Sequence, residues 1–414
     1  MTNTTRTLAG LGIGIIAGVT MAWLDGPLGE TLANLIQPLG RLWLNALQMT
    51  VVPLVLALVV VGVNATHDAA TSGRVARRAI ISFVLLLAFG AATAALLAPP
   101  LLSLLPRDPA LTDALAATLQ GGTASPAPNW SDWFVNIIPP NALAAAAASA
   151  MLPLVVFALF LGFALPRLEA SRRQLMLAFF QSVADAMIVI VRWVLLLAPI
   201  GVFALIFAVC ARSGLAMLGA LGAYIALEIL LYTLVGVLVM LIAVLPRRES
   251  LLHFARGIAP AQAVAASTQS SLASLPAMLE CADRLGYRKP VSALVLPMAV
   301  TLFRITSPIQ YIVSASFIAW ALMIDVSIVQ LAAGAALAVV VSMGSVGLPG
   351  QVSFLATNFP VTQAMGLPIG PLGVMLAVDT LPDVFATAGN VTADLAATRL
   401  VDARSSDASP DPGR

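Results

Sequence analysis

The sequence predicts an all-α polytopic membrane protein with eight transmembrane helices and two re-entrant helical hairpins. Composition is the first reason: 60% of the 414 residues are apolar and only 10% are charged, against about 25% charged in an ordinary soluble domain. The mean hydropathy of +0.98 agrees. The second reason is the number of uncharged runs that could span a bilayer. The third is that two uncharged segments each contain a short run of small and polar residues between apolar halves, a pattern that is typical of a chain that enters the membrane and turns back.

The uncharged runs account for most of the spans. A transmembrane helix requires about 20 apolar residues, and the uncharged runs are residues 8–24, 42–66, 79–106, 133–166, 193–211, 229–246 and 326–378. No small-residue cleavage pattern follows the first run, so it is interpreted as an uncleaved span rather than a signal peptide. Gly10, Gly14 and Gly18 recur every four residues in it, and such a stripe permits close helix packing.

Charge predicts the orientation and excludes one class of partner. The net charge is only +2, from 21 basic and 19 acidic residues, which indicates no polyanionic partner such as nucleic acid. Basic residues occupy alternate connections, and those connections are therefore predicted to be cytoplasmic, together with the N-terminus. They are Arg6, Arg74, Arg77, Arg78, Arg167, Arg172, Arg173, Arg247, Arg248, Arg284, Arg288 and Lys289. We expect a multi-pass protein of a bacterial inner (cytoplasmic) membrane.

Two segments are predicted to enter the membrane and turn back. Residues 257–279 carry no charge but are crowded with Ser, Thr, Gln and Pro, so they are too polar for a lipid-facing helix. Residues 326–378 are too long for one span, and their only candidate turn is the Gly/Ser/Pro tract 342–350. Such broken segments in corresponding halves of a chain indicate a transporter binding site. A polar tip that serves only helix packing is the alternative.

These features divide the chain as follows. The predicted units are spans 1 and 2 (1–78), spans 3 and 4 with an external loop at 106–142 (79–173), spans 5 and 6 (174–246), a first re-entrant hairpin (247–289), span 7 (290–325), a second re-entrant hairpin (326–370), span 8 (371–401) and a disordered tail (402–414).

Ionisable residues within membrane segments are costly and are therefore functional candidates. Asp379 and Asp383 lie four residues apart, as do Asn390 and Asp394, so all four share one stripe of the predicted last helix. Carboxylate and amide oxygens suit an alkali cation, and a carboxylate also suits a substrate ammonium group. A structural ion pair of Arg304 with Asp379 or Asp383 is the alternative.

Two further residues within membrane segments are expected to affect helix structure. Glu228 is isolated in its helix without an obvious partner, which favours a structural role. Pro382 removes a backbone donor, so we expect a kinked helix and a freed carbonyl one turn earlier.

The remaining reactive residues predict neither an enzyme nor a resident metal or cofactor. Cys210 and Cys281 are far apart in apolar context, and His67 and His253 lack the spacing of metal ligands. Ser345 lacks the Gly-x-Ser-x-Gly pattern of a nucleophile, and the paired aspartates share one helix rather than facing each other.

Six segments in order resemble the dicarboxylate/amino acid:cation symporters, the glutamate/aspartate-transporter-like family. They are MTVVPLVLALVVVGV (49–63), IIPPNALAAAAASAMLPLVVFALFLGFAL (137–165), WVLLLAPIGVFALIF (193–207), STQSSLASLP (267–276), SVGLPG (345–350) and DTLPDVFATAGNVTADL (379–395). The resemblance implies the inverted-repeat fold of that family and a homotrimer. It also implies an elevator movement, in which the hairpins with the seventh and last helices slide against a scaffold of early spans.

The resemblance also implies residue roles. Ser270 and Ser271 of the first tip would contact the substrate carboxylate, and Asp383 would hold a substrate ammonium group. Thr387 would line the same pocket. The backbone of the second tip would cover the substrate, and its residues are Val346, Gly347 and Gly350. Asn390 is expected to contact the substrate as well. Asn390 and Asp394, with Asp379 on the same stripe, would bind the coupling cation, and the ion expected at Asn390 and Asp394 is sodium.

The chain departs from the family at three places. The Asn-Met-Asp-Gly-Thr motif of the seventh span is replaced by residues 303–307, Phe-Arg-Ile-Thr-Ser. Phe303 and Ile305 therefore remove two side-chain oxygens from the family's cation sites. Arginines that some members carry in the last helix and first tip correspond to Ala386 and Gln269. Acidic amino acid specificity and the usual sodium stoichiometry do not follow for this chain.

Arg304 is new within the altered motif and has two candidate roles. Its guanidinium either replaces a bound cation near Asp394 and Asn390, or it supplies the substrate-anion partner lost at Ala386. The alternative is an ion pair with Asp379 that stabilises the structure and contacts no ligand.

The predicted function is a secondary active symporter. It would import a small carboxylate-bearing solute, an amino acid or a dicarboxylate, coupled to sodium or protons. Its expected partners are that solute, membrane lipid and two further copies of the chain. A channel, or a transporter-derived binding protein that has lost cation coupling, is the alternative.

Overall fold

The computed structural model describes residues 3–24, 27–71, 73–106, 112, 135, 138–213, 215–245, 250–344 and 350–406. All regular secondary structure in these residues is helical. The helices are α1 (Asn3–Trp23), α2 (Pro27–Gln48), α3 (Val51–Thr71), α4 (Arg74–Ser103), α5 (Ala142–Ala147), α6 (Met151–Ala164), α7 (Ala170–Leu196), α8 (Ala198–Ser213), α9 (Leu215–Val244), α10 (Leu251–Thr268), α11 (Leu275–Arg284), α12 (Lys289–Leu302), α13 (Thr306–Ala321), α14 (Ile328–Gly344), α15 (Gly350–Ala364), α16 (Leu372–Val378) and α17 (Thr380–Ser406), with a 3₁₀ turn at Leu165–Arg167.

The helices confirm a polytopic all-α membrane protein. Among the described residues, five helical stretches are long and apolar enough to cross a membrane, and the bent pair α16–α17 makes a sixth. The five are Gly29–Ala65, Arg74–Ser103, Ala170–Leu196, Gly219–Val244 and Lys289–Ala321. Shorter apolar helices accompany them, so the count of eight spans stays a prediction.

Several boundaries differ from the predicted units. The apolar run 42–66 is divided between α2 and α3 at residues 49–50, and residues 174–246 hold most of α7 together with α8 and α9. The expected tail begins inside α17, where buried Asp402 accepts a hydrogen bond from Nε of Arg288 at 2.7 Å. Most of the predicted external loop and residues 407–414 lie outside the described residues.

The glycine stripe of α1 packs against α8, which confirms the predicted close approach. A Cβ atom at Gly18 would lie 2.7 Å from the Cβ of Cys210, and one at Gly14 would lie 3.1 Å from the carbonyl oxygen of Phe203. Because any side chain would collide at Gly18, glycine is needed for this contact.

The centre of the molecule is formed by α13 and α17. All residues of α13 except Gln310 are buried, and this helix packs against α4, α9, α14 and α15. Helix α17 packs against α9, α10 and α12. The predicted hairpin segments form two packed helix pairs, α10 with α11 and α14 with α15. The residues that connect α14 to α15 lie outside the described residues.

An alanine at Gly18 tests the helix contact. Overpacking in a tight contact costs about 1–3 kcal/mol, so Gly18→Ala should lower the apparent melting temperature of the purified protein in detergent. Gly12→Ala is the matched control on the same helix, because a Cβ there would meet no atom within 4 Å. The control should be neutral or stabilising by up to about 1 kcal/mol, since alanine favours helix over glycine. Equal melting temperatures for the two variants would contradict the contact.

Candidate functional site

The first break in helical structure separates α12 from α13. Phe303 is extended there, with φ −129° and ψ 109°. Pro308, in the first turn of α13, explains the break, because a proline has no N–H to donate to the carbonyl of Arg304. The backbone N–H of Ser307 donates to that carbonyl instead, at 3.1 Å. Arg304 therefore lies in non-helical backbone between two helices.

The second break is the bend of 74° between α16 and α17. Asp379 lies at the bend, and Pro382 follows in the first turn of α17, where it cannot donate to the carbonyl of Val378. This confirms the kink predicted from Pro382. The side-chain amide of Gln310 donates to Oδ1 of Asp379 at 2.6 Å, which ties the bend to α13.

The third break is the turn between α10 and α11, at the predicted first tip. Gln269 has a left-handed backbone conformation, with φ 50°, and its side-chain amide donates to the carbonyl of Thr380 at 3.1 Å. The first tip thus lies against the start of α17, three residues before Asp383.

Arg304 brings a guanidinium group to the carboxylates of α17. It is half-buried and lies close enough to Asp379, Asp383 and Asp394 to interact electrostatically with each. Asp379 and Asp394 are buried, whereas Asp383 is partly exposed. Glu228 of α9 also interacts electrostatically with Asp379 and Asp383. The structure therefore brings together all five ionisable residues that the sequence singles out.

The buried amide of Asn390 connects α17 to the first break. Its Oδ1 accepts hydrogen bonds from the backbone N–H and the hydroxyl of Thr306, at 3.1 and 3.0 Å. Both carboxylate oxygens of Asp394 are buried, and they make no hydrogen bond within the described residues. An ionised carboxylate in such a place requires a compensating charge, so this pair fits a cation or a proton.

Apolar side chains occupy the two positions at which the resemblance implies oxygen-bearing residues. The ring of Phe303 stacks on that of Phe83 in α4, with centroids 4.9 Å apart and planes 6° from parallel. Ile305 is buried against Gly90 of α4. The break is thus anchored to α4 by apolar packing rather than by oxygen ligands.

The remaining predicted site residues are placed as follows. Ser270 is half-buried, and its hydroxyl accepts from the N–H of Ala273 at 3.2 Å, while Ser271 lies beside it in the turn. The hydroxyl of buried Thr387 donates to the carbonyl of Asp383 at 2.8 Å. Gly350 begins α15. Val346 and Gly347 lie outside the described residues.

The expectation that Glu228 has no partner is wrong. Its side chain is fully buried in α9, and Tyr224 donates its hydroxyl hydrogen to Oε1 at 2.7 Å. The spacing of four residues puts both side chains on one helix face and could have revealed the pair. Gln310, whose amide donates to Asp379, is not among the predicted site residues. The signal that could have identified it is its position as a lone amide among apolar and small residues.

Non-helical backbone that carries charged groups between packed helices is the arrangement of a transporter binding site. Comparison of the chain with known protein families agrees with this assignment to transporters. Residues 4–404 match the model of the sodium:dicarboxylate symporter family, so the chain belongs to that family of transporters.

Three relatives illustrate the range of the family. The proton/glutamate-aspartate symporter of Escherichia coli (strain K12) is 27% identical over 94% of this chain and 90% of its own length. The proton/sodium-glutamate symport protein of Bacillus subtilis (strain 168) is 26% identical over 94% of this chain and 89% of its length. The C4-dicarboxylate transport protein of Anaeromyxobacter sp. (strain K) is 28% identical over 90% of this chain and 85% of its length.

Removal of the Gln310 amide tests the bond that holds Asp379. Gln310→Leu leaves a buried carboxyl without its donor, which costs about 1–3 kcal/mol, and the melting temperature should fall. Gln181→Leu is the control, because its amide bonds exposed Asp185 at 3.0 Å on the surface. That variant should stay within about 0.5 kcal/mol of the parent. A Gln310→Leu protein as stable as the control would show that the hydrogen bond is dispensable.

Proposed function

We propose that this protein is a secondary active symporter that imports a small carboxylate-bearing solute together with sodium or protons. The proposal rests on the electrostatic interaction of one guanidinium, that of Arg304, with three carboxyl groups near the helix breaks. These are the side chains of Asp379, Asp383 and Asp394. The chain belongs to a family of cation-coupled carboxylate transporters, which agrees with this function.

Charge compensation supports coupling to a cation. Arg304 can balance one of the carboxylates Asp379, Asp383 and Asp394, but uncompensated charge is costly within a membrane. The remaining negative charge is best balanced by a cation, a proton or the ammonium group of a solute. Binding of the solute and of the coupling ion then assist each other, because each neutralises charge that the other would face.

Arg304 is the best candidate to hold the solute carboxylate. Its planar guanidinium can form two parallel hydrogen bonds to a carboxylate, and the last helix offers alanine, not arginine, at residue 386. Partly exposed Asp383 is the candidate partner of an ammonium group. The names of relatives include both glutamate-aspartate and C4-dicarboxylate carriers, so the candidate solutes are acidic amino acids and dicarboxylates.

The altered seventh-span motif favours fewer coupling sodium ions. Phe303 and Ile305 offer no side-chain oxygen, and the guanidinium of Arg304 supplies a fixed positive charge near Asp394. We expect any sodium ion to use Asn390 and Asp394, with Asp379 nearby. Proton coupling is the other option, as the names of relatives indicate.

The movement and assembly are proposed on the resemblance to the family. The two hairpin segments with α12, α13 and α17 would form the moving unit, and the second tip would close over the solute. The unit would slide as an elevator within a homotrimer in a bacterial inner membrane, with the N-terminus in the cytoplasm.

Uptake by proteoliposomes tests the proposal. Purified protein should concentrate labelled L-aspartate, L-glutamate or succinate above the external level under an inward sodium or proton gradient. Collapse of the gradient should stop accumulation. Entry that only equilibrates the solute would indicate a channel, and binding without entry would indicate a binding protein.

Substitution of Arg304 tests its role within this function. Arg304→Gln should reduce the initial uptake rate by about 10- to 100-fold, since a charge-assisted pair is worth about 1.5–3 kcal/mol. It should also change the dependence of uptake on sodium or proton concentration. Arg172→Gln is the control, because that side chain is 77% exposed. An unchanged uptake rate and an unchanged ion dependence in Arg304→Gln would show that Arg304 forms a structural ion pair and has no role in transport.

A further inference from the structure

Glu228 lies in a hydroxyl-lined pocket in the interior of the protein, between α9 and α13. Its Oε1 accepts from the hydroxyl of Tyr224 at 2.7 Å, and that hydroxyl lies 3.1 Å from Oγ of Ser314 in α13. Oε2 is buried and lacks a hydrogen bond of regular geometry within the described residues, although the hydroxyl of Tyr232 interacts with the carboxyl group. All four side chains are buried.

This pocket faces the solute site. Glu228 interacts electrostatically with Asp383 of α17 and with Asp379 at the bend. Tyr224 and Tyr232 are the titratable groups on its own helix, and Ser314 is its polar neighbour on α13. Glu228 lies near the middle of α9. Further charged or titratable residues lie on the helices packed against α9. They include Arg74, Arg77 and Arg78 of α4, Cys210 and Arg212 of α8, His253 and Arg256 of α10, Tyr311 of α13, and Asp394, Arg399 and Asp402 of α17.

The surroundings of Glu228 suit a proton better than a metal cation. Its closest polar neighbours are hydroxyl groups, and that of Tyr224 donates a hydrogen bond to the carboxylate. The described residues contain no cluster of three or more acidic, histidine or cysteine side chains with metal-site geometry. A neutral carboxylic acid is stable in such a place without a counter-ion. A proton is therefore the positive charge that this pocket can accept most readily.

We propose that Glu228 is the site that binds the coupling proton during symport. The carboxylate takes one proton from the side of high proton concentration and becomes a carboxylic acid, and it returns the proton to the other side as the solute leaves. While Glu228 is ionised, its charge adds to that of Asp379 and Asp383 and competes with the solute for Arg304. Protonation removes that charge, so Arg304 is free to pair with the solute carboxylate.

The inference rests on the proposed symport function, and Glu228→Gln in proteoliposomes tests it. Glutamine keeps the acceptor for Tyr224 but stays neutral. In the parent, an inward proton gradient should raise the uptake of labelled aspartate or succinate by about 5- to 150-fold. In Glu228→Gln this stimulation should be lost, while exchange of internal for external solute, which moves no net proton, should continue. Glu169→Gln is the control, since that side chain is 69% exposed.

The outcomes separate the two proposals. If the parent transports neither probe under any gradient, the symport function itself is wrong. If the parent transports but does not respond to the proton gradient, or Glu228→Gln responds as the parent does, symport stands and the role of Glu228 is wrong. Loss of exchange together with net uptake in a folded Glu228→Gln protein would make the residue structural and would overturn the inference.

A second variant covers the case in which Glu228→Gln does not fold. Tyr224→Phe removes the donor to the carboxylate and leaves Glu228 titratable. The pH midpoint of aspartate or succinate uptake should move upward by about one to two units, because a hydrogen bond to a charged group is worth about 1.5–3 kcal/mol. A midpoint equal to that of the parent would contradict the proposal.

Discussion

The structure depends on how negative charge is balanced in a membrane interior. Asp379 and Asp394 are buried, and Asp383 is only partly exposed, yet all three interact with one guanidinium, that of Arg304. One positive charge does not balance three negative ones, and burial of the difference is costly. The protein alone therefore leaves part of the negative charge uncompensated, and a cation, a proton or a solute ammonium group can supply the missing positive charge. We infer that this incomplete compensation is the physical basis of coupled transport.

Prolines place these groups where they can meet. Pro308 prevents a continuous helix through Arg304, and Pro382 prevents one through Asp379. Side chains hold both breaks, since the amide of Gln310 donates to the carboxyl of Asp379 and Oδ1 of Asn390 accepts from the backbone N–H of Thr306. Apolar packing adds to this, because the ring of Phe303 stacks on that of Phe83 in α4.

The sequence predicted the parts of this arrangement that depend on local rules. Membrane helices follow from hydropathy, the kink follows from Pro382, and the close packing of α1 follows from its glycine stripe. The pairing of Gln310 with Asp379 could not be predicted, because it joins residues 69 positions apart and depends on how two broken helices cross. The stacking of Phe303 on Phe83 depends on tertiary packing in the same way. Tyr224 lies one helical turn from Glu228 and is its hydrogen-bond partner. Charge pattern alone does not reveal this pair, because a tyrosine hydroxyl is neutral.

A double-mutant cycle between Arg304 and Asp394 measures whether the guanidinium compensates a buried carboxylate. Asp394 is the acid best suited to it, because its oxygens make no hydrogen bond within the described residues. We expect Arg304→Gln and Asp394→Asn each to destabilise the purified protein, and the double variant to lose less stability than the sum of both losses, by about 1 kcal/mol or more. Stability losses that add within about 0.5 kcal/mol would show that the guanidinium does not compensate this carboxylate, and charge balance at Arg304 would be contradicted.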